Sequence, residues 1–180
     1  MVNTNQSAEI ELEFTFLAAA LPTEITGVMP KRLIDAYIPE TDVRHPSLRL
    51  RKRGDILELT KKSPIEEGDA SAQYEMTIRL DQHEFDALSM VSQRRIVKDR
   101  YNVVIDGYPA EVDVFQENLK GLVLIDFEFA SKADRDKFKA PAICLADVTQ
   151  EEFVAGGLLA GKNFSDIATK LSAFNYSAIT

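Results

Sequence analysis

The sequence predicts a mainly β protein of the α+β class, built from many strands with a few helices around them. Its dominant hydrophobic period is two, which is the period of strands, and residues 9–14 alternate acidic and apolar side chains without a break. Residues 48–53 and 56–62 keep this period on either side of Gly54, as the two arms of a β-hairpin do. Helical periodicity occurs only between and after the strands.

The individual elements follow from the same period and from turn and capping residues. Strands are predicted at 8–16, 48–53, 56–62, 74–80, 94–104, 110–115 and 122–129, with a loop at 63–71. Helices are predicted at 84–92 after the capping-box-like Asp81-x-x-Glu84, after Ser131 as far as Pro141, at 149–159 from Thr149, and at 166–174 from Ser165. The chain contains no internal repeat, so we expect one domain over 1–180, with a core at about 8–160 and C-terminal helices within 149–175.

Composition and charge exclude several classes of protein. Of the 180 residues, 45% are hydrophobic, which is enough for one globular core, but no apolar run is long enough to span a membrane. Residues 1–7 lack the pattern of a signal peptide, and the single Cys144 cannot form an internal disulfide, so we expect the reducing cytoplasm. The net charge of −8 argues against nucleic acid as a partner. The oligomeric state is left open, with a homodimer as one alternative.

Full charges of one sign recur on single strand faces. The segment 44–62 holds a local excess of cations in an acidic chain, namely Arg44, Arg49, Arg51, Lys52, Arg53, Lys61 and Lys62. Glu9, Glu11 and Glu13 share one face of the first strand. Faces of this kind that turn inward require metal ions or basic side chains, and separate acidic and basic strands suit a site that binds both metal and phosphate. Faces turned to water need neither, and the pattern alone leaves both interpretations open.

Five motifs, in the same order along the chain, resemble the CYTH domain of the triphosphate tunnel metalloenzymes. Residues 9–14 are similar to its ExExK signature, 48–62 to its LRLR…G…LTxK hairpin and 98–101 to its KxRY element. Residues 111–115 followed by 121–129 resemble ExDxF…GLxLxExEF, and 147–149 resemble an EVT segment. The matches extend over nearly the whole chain.

The resemblance implies a closed eight-stranded antiparallel β-barrel with peripheral α-helices, whose charged tunnel binds a triphosphate together with divalent metal. Members hydrolyse tripolyphosphate or thiamine triphosphate, and a branch cyclises ATP to cyclic AMP. The substrate-binding residues that it implies are Arg49, Arg51, Lys62, Lys98 and Arg100, to which the charge pattern adds Arg79, and the implied catalytic residues are Glu9, Glu11, Lys98 and Arg100. The implied ligands of Mg²⁺ or Mn²⁺ are Glu9, Glu11, Glu75, Glu111, Asp113, Asp126 and Glu128. Tyr37, two residues after Asp35 on an apparent strand, is expected at the tunnel mouth.

Two positions depart from the family pattern. Glu13 occupies the place of the signature lysine, and Thr77 the place of a second glutamate after Glu75. Arg79, on the same strand face as Thr77, is expected to restore the lost positive charge. The predicted function is a metal-dependent triphosphatase that hydrolyses inorganic tripolyphosphate or a related organic triphosphate. The altered signature keeps open a non-catalytic protein that binds polyphosphate or nucleotide, and a class IV-type adenylate cyclase is the further alternative.

Overall fold

Nine antiparallel strands form most of the computed structural model, which describes residues 9–40 and 45–180. They are β1 (Glu9–Ala18), β2 (Lys31–Ile38), β3 (Leu48–Arg53), β4 (Ile56–Pro64), β5 (Ala72–Arg79), β6 (Arg95–Ile105), β7 (Tyr108–Phe115), β8 (Val123–Glu128) and β9 (Cys144–Asp147). The helices are α1 (Gln82–Ser89), α2 (Lys132–Arg135), α3 (Gly156–Leu159) and α4 (Phe164–Ser172), with 3-10 turns at Thr23–Ile25, Glu117–Leu119 and Glu152–Val154. None of the helices in the described part of the chain has the length and apolar character needed to cross a membrane.

Eight of the strands close into a barrel. Hydrogen bonding follows the order β5-β4-β3-β2-β6-β7-β8-β1, and β1 returns to β5 through pairs that run from Glu9 with Glu75 to Leu12 with Ala72. One edge of β1 is occupied by β8, and the other is shared by β5 and, beyond Leu12, by β9. The predicted closed eight-stranded antiparallel barrel is confirmed, with β9 as an added strand that covers the part of β1 that β5 leaves unpaired.

The predicted strands are all present with small shifts at their ends, and β3 covers the predicted residues without change. Strand β9 was not among the predicted ones, and only the part of β2 around Asp35 and Tyr37 was indicated by the sequence. The residue Ala8, predicted to begin the first strand, and the cation Arg44 lie outside the described residues. The capping box of α1 is confirmed, because the Asp81 carboxylate accepts from the Glu84 N–H and the Glu84 carboxylate accepts from the Asp81 N–H, both at 2.9 Å.

The inward face of the barrel is apolar at one end. Tyr37, Ile96 and Phe115 are buried there, and they belong to a core cluster that includes Leu159 of α3 and Leu171 of α4. The C-terminal helices therefore pack against this end of the barrel. A second cluster lies on the outer face of β1, β7 and β8 and is covered by Phe138. Burial of these large side chains stabilises each helix and strand by about 1.5–3 kcal/mol per residue, and it leaves the rest of the inward face free for charges.

The predicted helix at 149–159 is wrong. Thr149 does not cap a helix; its Oγ1 accepts from the Thr15 N–H at 3.0 Å and donates to Asp147 at 2.6 Å, which ties the segment to β1. Helical structure is confined to a 3-10 turn and the single-turn α3, separated by Ala155 in an extended conformation. Competition from side-chain to backbone bonds of this kind is a known reason for threonine to favour turns over helices. The last helix begins at Phe164 rather than after Ser165, with Asp166 accepting from the Asn163 N–H at 2.8 Å.

Candidate active site in a charged tunnel

The barrel encloses a cavity of about 640 Å³ lined by side chains from all eight of its strands. Every second residue of each strand faces inward, and most of these positions carry a full charge. A volume in the range of small-molecule sites and a lining of ionic side chains together indicate a binding site for a charged ligand. We call this cavity the tunnel.

Acidic side chains predominate on one part of the tunnel wall and basic side chains on another, with Glu58 of β4 and Glu111 and Asp113 of β7 as acidic residues among the cations. The adjacent strands β8, β1 and β5 contribute Asp126, Glu128, Glu11, Glu13 and Glu75, whereas β3, β4 and β6 contribute Arg49, Arg51, Arg53, Lys62, Lys98 and Arg100. In the ring of eight strands, β8 stands four places from β3, so acidic and basic positions face each other across the barrel. This arrangement confirms that the charged strand faces turn inward rather than toward water.

Buried carboxylates fix the cations of β6. Arg100 donates from Nε to Asp113 Oδ1 at 2.7 Å and from Nη2 to Asp113 Oδ2 at 2.6 Å, and it also bonds Glu111 and, at 3.4 Å, Asp126. Lys98 bonds the same Asp113, which is only 1% exposed. Burial alone would raise the pKa of Asp113, but Arg100 and Lys98 outweigh it and hold that pKa well below 3.8. Asp113 and Glu111 therefore face cations, and these contacts suit positioning carboxylates better than metal ligands.

The cations of β3 differ in their partners. Arg51 is held by a bidentate ion pair with Asp35, a residue of β2 that is fully buried. Arg49 Nε, by contrast, is the one buried side-chain nitrogen or oxygen without a hydrogen-bond partner among residues 9–40 and 45–180. Lys62 of β4 bonds Glu11 and lies 3.2 Å from Glu75 Oε2. A buried guanidinium N–H aimed at no acceptor is unfavourable, so the tunnel is suited to an anionic ligand at Arg49.

Three carboxylates form a cluster that could hold a metal ion. Glu11, Glu13 and Glu128 each place an oxygen within 4.8 Å of the other two. Withdrawal from water raises the pKa of Glu13 to about 8, and repulsion by Asp126 and Glu11 adds to the rise. Burial and repulsion by Asp113 also raise the pKa of Asp126. A hard divalent cation with oxygen ligands would relieve this repulsion, so the donor set fits Mg²⁺ or Mn²⁺.

The tunnel-facing residues of β1 correct the position of the signature. Glu11, Glu13 and Thr15 line the tunnel, whereas Glu9 is exposed at the first position of the strand and does not. The two signature glutamates that face the tunnel are therefore Glu11 and Glu13, and Thr15 stands at the place of the lysine. The expected charge reversal at Glu13 is wrong in this register. The departure is a neutral threonine, whose hydroxyl donates to Asp126 at 2.8 Å.

On strand β5, too, the tunnel-lining residues differ by two positions from the predicted ones. Its tunnel-lining residues are Gln73 and Glu75, and Thr77 lies beyond them, bonded to Thr60 at 2.8 Å and to Glu75 at 3.0 Å. The hypothesis that Arg79 restores a cation to the tunnel is wrong. Its side chain is 66% exposed, does not line the tunnel, and contacts Glu58 at 3.5 Å.

Three residues that position or line the site were not among the predicted site residues. Asp35 lies on β2 opposite Arg51, and Thr15 was taken for a residue outside the signature. His45 also lines the tunnel, and its Nε2 accepts from the Gly157 N–H at 3.1 Å. The prediction that Tyr37 lies on a strand and lines the tunnel is confirmed, and the alternation of Leu33, Asp35 and Tyr37 could have given this strand its full length.

The Asp35–Arg51 pair predicts how stability depends on pH. Burial favours the neutral acid, but Arg51 outweighs it and lowers the pKa of Asp35 below 3.8. A carboxyl group whose folded pKa lies below its unfolded value stabilises the fold above that unfolded value, and the contribution is lost as the pH falls through the folded pKa. Breaking a buried pair of this kind costs about 3–5 kcal/mol. We expect Asp35→Asn to lower the free energy of unfolding at about pH 6, with a smaller deficit at about pH 2.5.

Urea denaturation of both proteins at the two pH values measures this difference. A deficit that is the same at both values would contradict an ionised Asp35 in the folded protein. A deficit that grows on acidification would contradict it as well.

The fold and the site define a β-barrel tunnel protein whose lining is suited to an anion together with a divalent cation. The chain is 33% identical over 144 residues to an inorganic triphosphatase of Nitrosomonas europaea, and the match covers 79% of this chain and 91% of that protein. On this evidence the chain belongs to the CYTH family of triphosphate tunnel metalloenzymes, and the predicted resemblance is confirmed.

Solved structures agree with this assignment. The structure of an inorganic triphosphatase that is 30% identical superposes with a TM-score of 0.59 and covers 83% of this chain and 93% of that one. A putative adenylate cyclase from Bacillus halodurans has the same fold at 16% identity, with a TM-score of 0.56 and coverage of 96% and 93%. No protein-family model matches the chain.

Proposed function

We propose that the chain is a metal-dependent triphosphatase that hydrolyses inorganic tripolyphosphate, or a related organic triphosphate, inside the tunnel. The observation that carries this proposal is one cavity that holds both a cluster of cations and a carboxylate cluster, with Arg49 Nε left without an acceptor among residues 9–40 and 45–180. The similarity to inorganic triphosphatases supports the same function.

The cluster of cations would bind the phosphates. Arg49, Arg51, Lys62, Lys98 and Arg100 all line the tunnel and would neutralise the charge of the phosphate oxygens. The cations of β6 keep their positions through Asp113, so they need little reorganisation when the substrate binds. Arg79 has no part in this set because its side chain lies outside the tunnel.

The carboxylate cluster would hold the metal. Glu11, Glu13 and Glu128 are the proposed ligands of Mg²⁺ or Mn²⁺, with Asp126 beside them. When bound, the cation supplies positive charge that polarises a phosphoryl oxygen. Glu9 is left out of the catalytic and metal-binding residues, and Glu75 is assigned to Lys62, which it contacts at 3.2 Å.

Hydrolysis in this tunnel requires no covalent intermediate on the protein. Water attacks the terminal phosphorus, the bond to the bridging oxygen breaks, and the products are phosphate and pyrophosphate. The cations on β3 and β6 stabilise the negative charge that shifts to the bridging and terminal oxygens. Asp126, which accepts a hydrogen bond from the Thr15 hydroxyl and has a raised pKa, would orient the attacking water and accept its proton.

Phosphate release from tripolyphosphate, ATP and thiamine triphosphate, each with Mg²⁺, Mn²⁺ or a chelator, tests the proposal. We expect release from tripolyphosphate that depends on the metal and is abolished by the chelator. Formation of cyclic AMP from ATP would instead favour the cyclase.

One observation favours a second candidate, a protein that binds polyphosphate without hydrolysing it. Thr15 places a neutral side chain where the signature has a lysine, so the tunnel has one cation fewer. Tripolyphosphate that raises the melting temperature without any release of phosphate would identify this candidate and contradict the triphosphatase.

The proposed partner is a small-molecule triphosphate, and the proposed compartment is the reducing cytoplasm. The proposed compartment rests on Cys144, the single cysteine of the chain. Burial raises the pKa of its thiol to about 12, so it has little reactivity as a thiolate. The lack of nucleic-acid and membrane partners, the homodimer and the extent of the domain over 1–180 stay predictions.

A further inference from the structure

We propose that Asp35 is a positioning residue, which aligns the Arg51 guanidinium so that its free N–H groups face the phosphates of the substrate. This role rests on the proposed function, because it assumes that the tunnel binds a triphosphate. It concerns a residue on β2 that does not itself line the tunnel.

The ladder between β2 and β3 places the two residues face to face. Asp35 and Arg51 are directly opposite partners in it, and the neighbours of Asp35 on the same strand face, Leu33 and Tyr37, line the tunnel. Asp35 therefore points inward but lies beneath Arg51, with 0% of its side chain exposed against 12% for the arginine. The carboxylate cannot reach a ligand without displacing the guanidinium above it.

The hydrogen bonds leave part of the guanidinium free. Arg51 donates from Nε to Asp35 Oδ1 and from Nη2 to Asp35 Oδ2, both at 2.7 Å. A guanidinium has five N–H donors in a rigid plane, so about three remain for a ligand. A bidentate pair fixes the orientation of that plane as well as its distance. Asp35 thus sets the direction in which the remaining donors of Arg51 point.

Arg49, on the same strand, differs from Arg51 in its partner. It lies two residues before Arg51 on the same face, and its partner in the ladder is Tyr37 rather than a carboxylate. Its Nε makes no hydrogen bond. Strand β3 therefore carries one arginine that a carboxylate fixes before the substrate binds and one whose Nε has no acceptor in the described part of the chain.

A different role for Asp35 gives the opposite result. If Asp35 served only to neutralise Arg51 for stability, its removal would make the tunnel more positive and would tighten phosphate binding. If it positions Arg51, the loss of orientation weakens binding although the tunnel gains positive charge. The sign of the change in affinity separates the two roles.

The test is the Kd of a methylene-bridged analogue of tripolyphosphate, which cannot be hydrolysed, measured by calorimetry with Mg²⁺ for wild type, Asp35→Asn and Asp99→Asn. Asp99 is a matched control, since it forms the same bidentate pair with Arg32, also at 2.7 Å, on a side chain that is 59% exposed. We expect Asp35→Asn to weaken binding by on the order of 10- to 100-fold, as removal of outer-shell partners does in other sites. Asp99→Asn is expected to stay within about twofold of wild type. Unchanged or tighter binding by Asp35→Asn overturns the proposal.

Arg51→Lys provides a second test. It keeps the positive charge of the tunnel, and it can still be measured if Asp35→Asn does not fold. Lysine cannot form the bidentate pair, so we expect Arg51→Lys to weaken binding as much as Asp35→Asn does. In the double variant, Asp35→Asn should add less than about twofold. Wild-type affinity in Arg51→Lys, or full additivity in the double variant, overturns the proposal.

These measurements remain informative when the proposed function fails. A wild-type protein that binds tripolyphosphate but releases no phosphate contradicts the triphosphatase, and the comparison of Kd values still decides the role of Asp35. A wild-type protein that does not bind tripolyphosphate overturns both.

Discussion

Replacing Lys98 and Arg100 together by alanine is expected to lower kcat/KM for tripolyphosphate by on the order of 10³-fold or more. Both side chains line the tunnel and are fixed by the buried Asp113. In phosphoryl transfer, catalysis depends mainly on positioning and on neutralising charge, so fixed cations contribute most in the transition state. Phosphate release measured over a range of tripolyphosphate concentrations gives kcat and KM separately.

Two controls accompany this variant. Arg95→Ala removes a cation from the same strand, but its side chain is 59% exposed and lies 3.7 Å from Glu117, so activity should change by about twofold at most. Because the double variant leaves Asp113 buried without a cation, it loses stability. Adding Asp113→Asn removes that charge and should restore the melting temperature without restoring activity. Recovery of activity along with stability would contradict a direct role of these two cations.

Glu13→Gln is expected to lower kcat at saturating Mg²⁺ by at least about 100-fold and to weaken metal binding. Glu13 belongs to the three-carboxylate cluster, whose mutual repulsion a divalent cation would relieve. The matched control is Glu9→Gln, which changes the same residue type on the same strand, four positions earlier and outside the tunnel. Glu9→Gln should stay within about twofold of wild type.

The pair of variants also decides the register of the signature. Titration with Mn²⁺, followed by calorimetry, gives the metal affinity independently of turnover. If Glu9→Gln lowers both metal affinity and kcat while Glu13→Gln leaves them unchanged, the signature begins at Glu9 and the assignment of Thr15 to the lysine position is wrong. If Glu13→Gln alone lowers them, the signature begins at Glu11.

The threonine at the third signature position is the main chemical departure of this tunnel. Thr15 bonds Asp126 through its hydroxyl and Thr149 through its backbone N–H. A lysine there would add a positive charge next to Asp126 besides that of Arg100, which lies 3.4 Å away, whereas threonine adds only a neutral donor. Burial and the neighbouring Asp113 then raise the pKa of Asp126, and a carboxylate of raised pKa is a stronger proton acceptor. The substitution therefore alters the acid–base chemistry of the site as well as its affinity for anions.

Much of the fold could be predicted from alternation along the chain. The charged and apolar residues of β3 and β4 alternate around Gly54, and both strands were found where they were predicted. Capping chemistry likewise placed α1, because Asp81 and Glu84 satisfy each other's backbone donors. The same capping pattern predicted a helix after Thr149 wrongly, because Thr149 forms a long-range hydrogen bond with β1 instead of a local cap.

The sequence by itself determined which residues share a strand face, and hence that acidic and basic faces exist. It did not determine how deep each residue lies in the barrel, because alternation with period two gives the side of a strand but not its stagger against its neighbours. Glu9 and Glu13 share a face, yet only Glu13 lies in the tunnel. The partners of Arg51 and Arg49 could not be predicted either, because Asp35 and Tyr37 pair with them only through the register of β2 against β3. Tertiary structure decided these points because hydrogen-bond register between distant strands sets both depth and pairing.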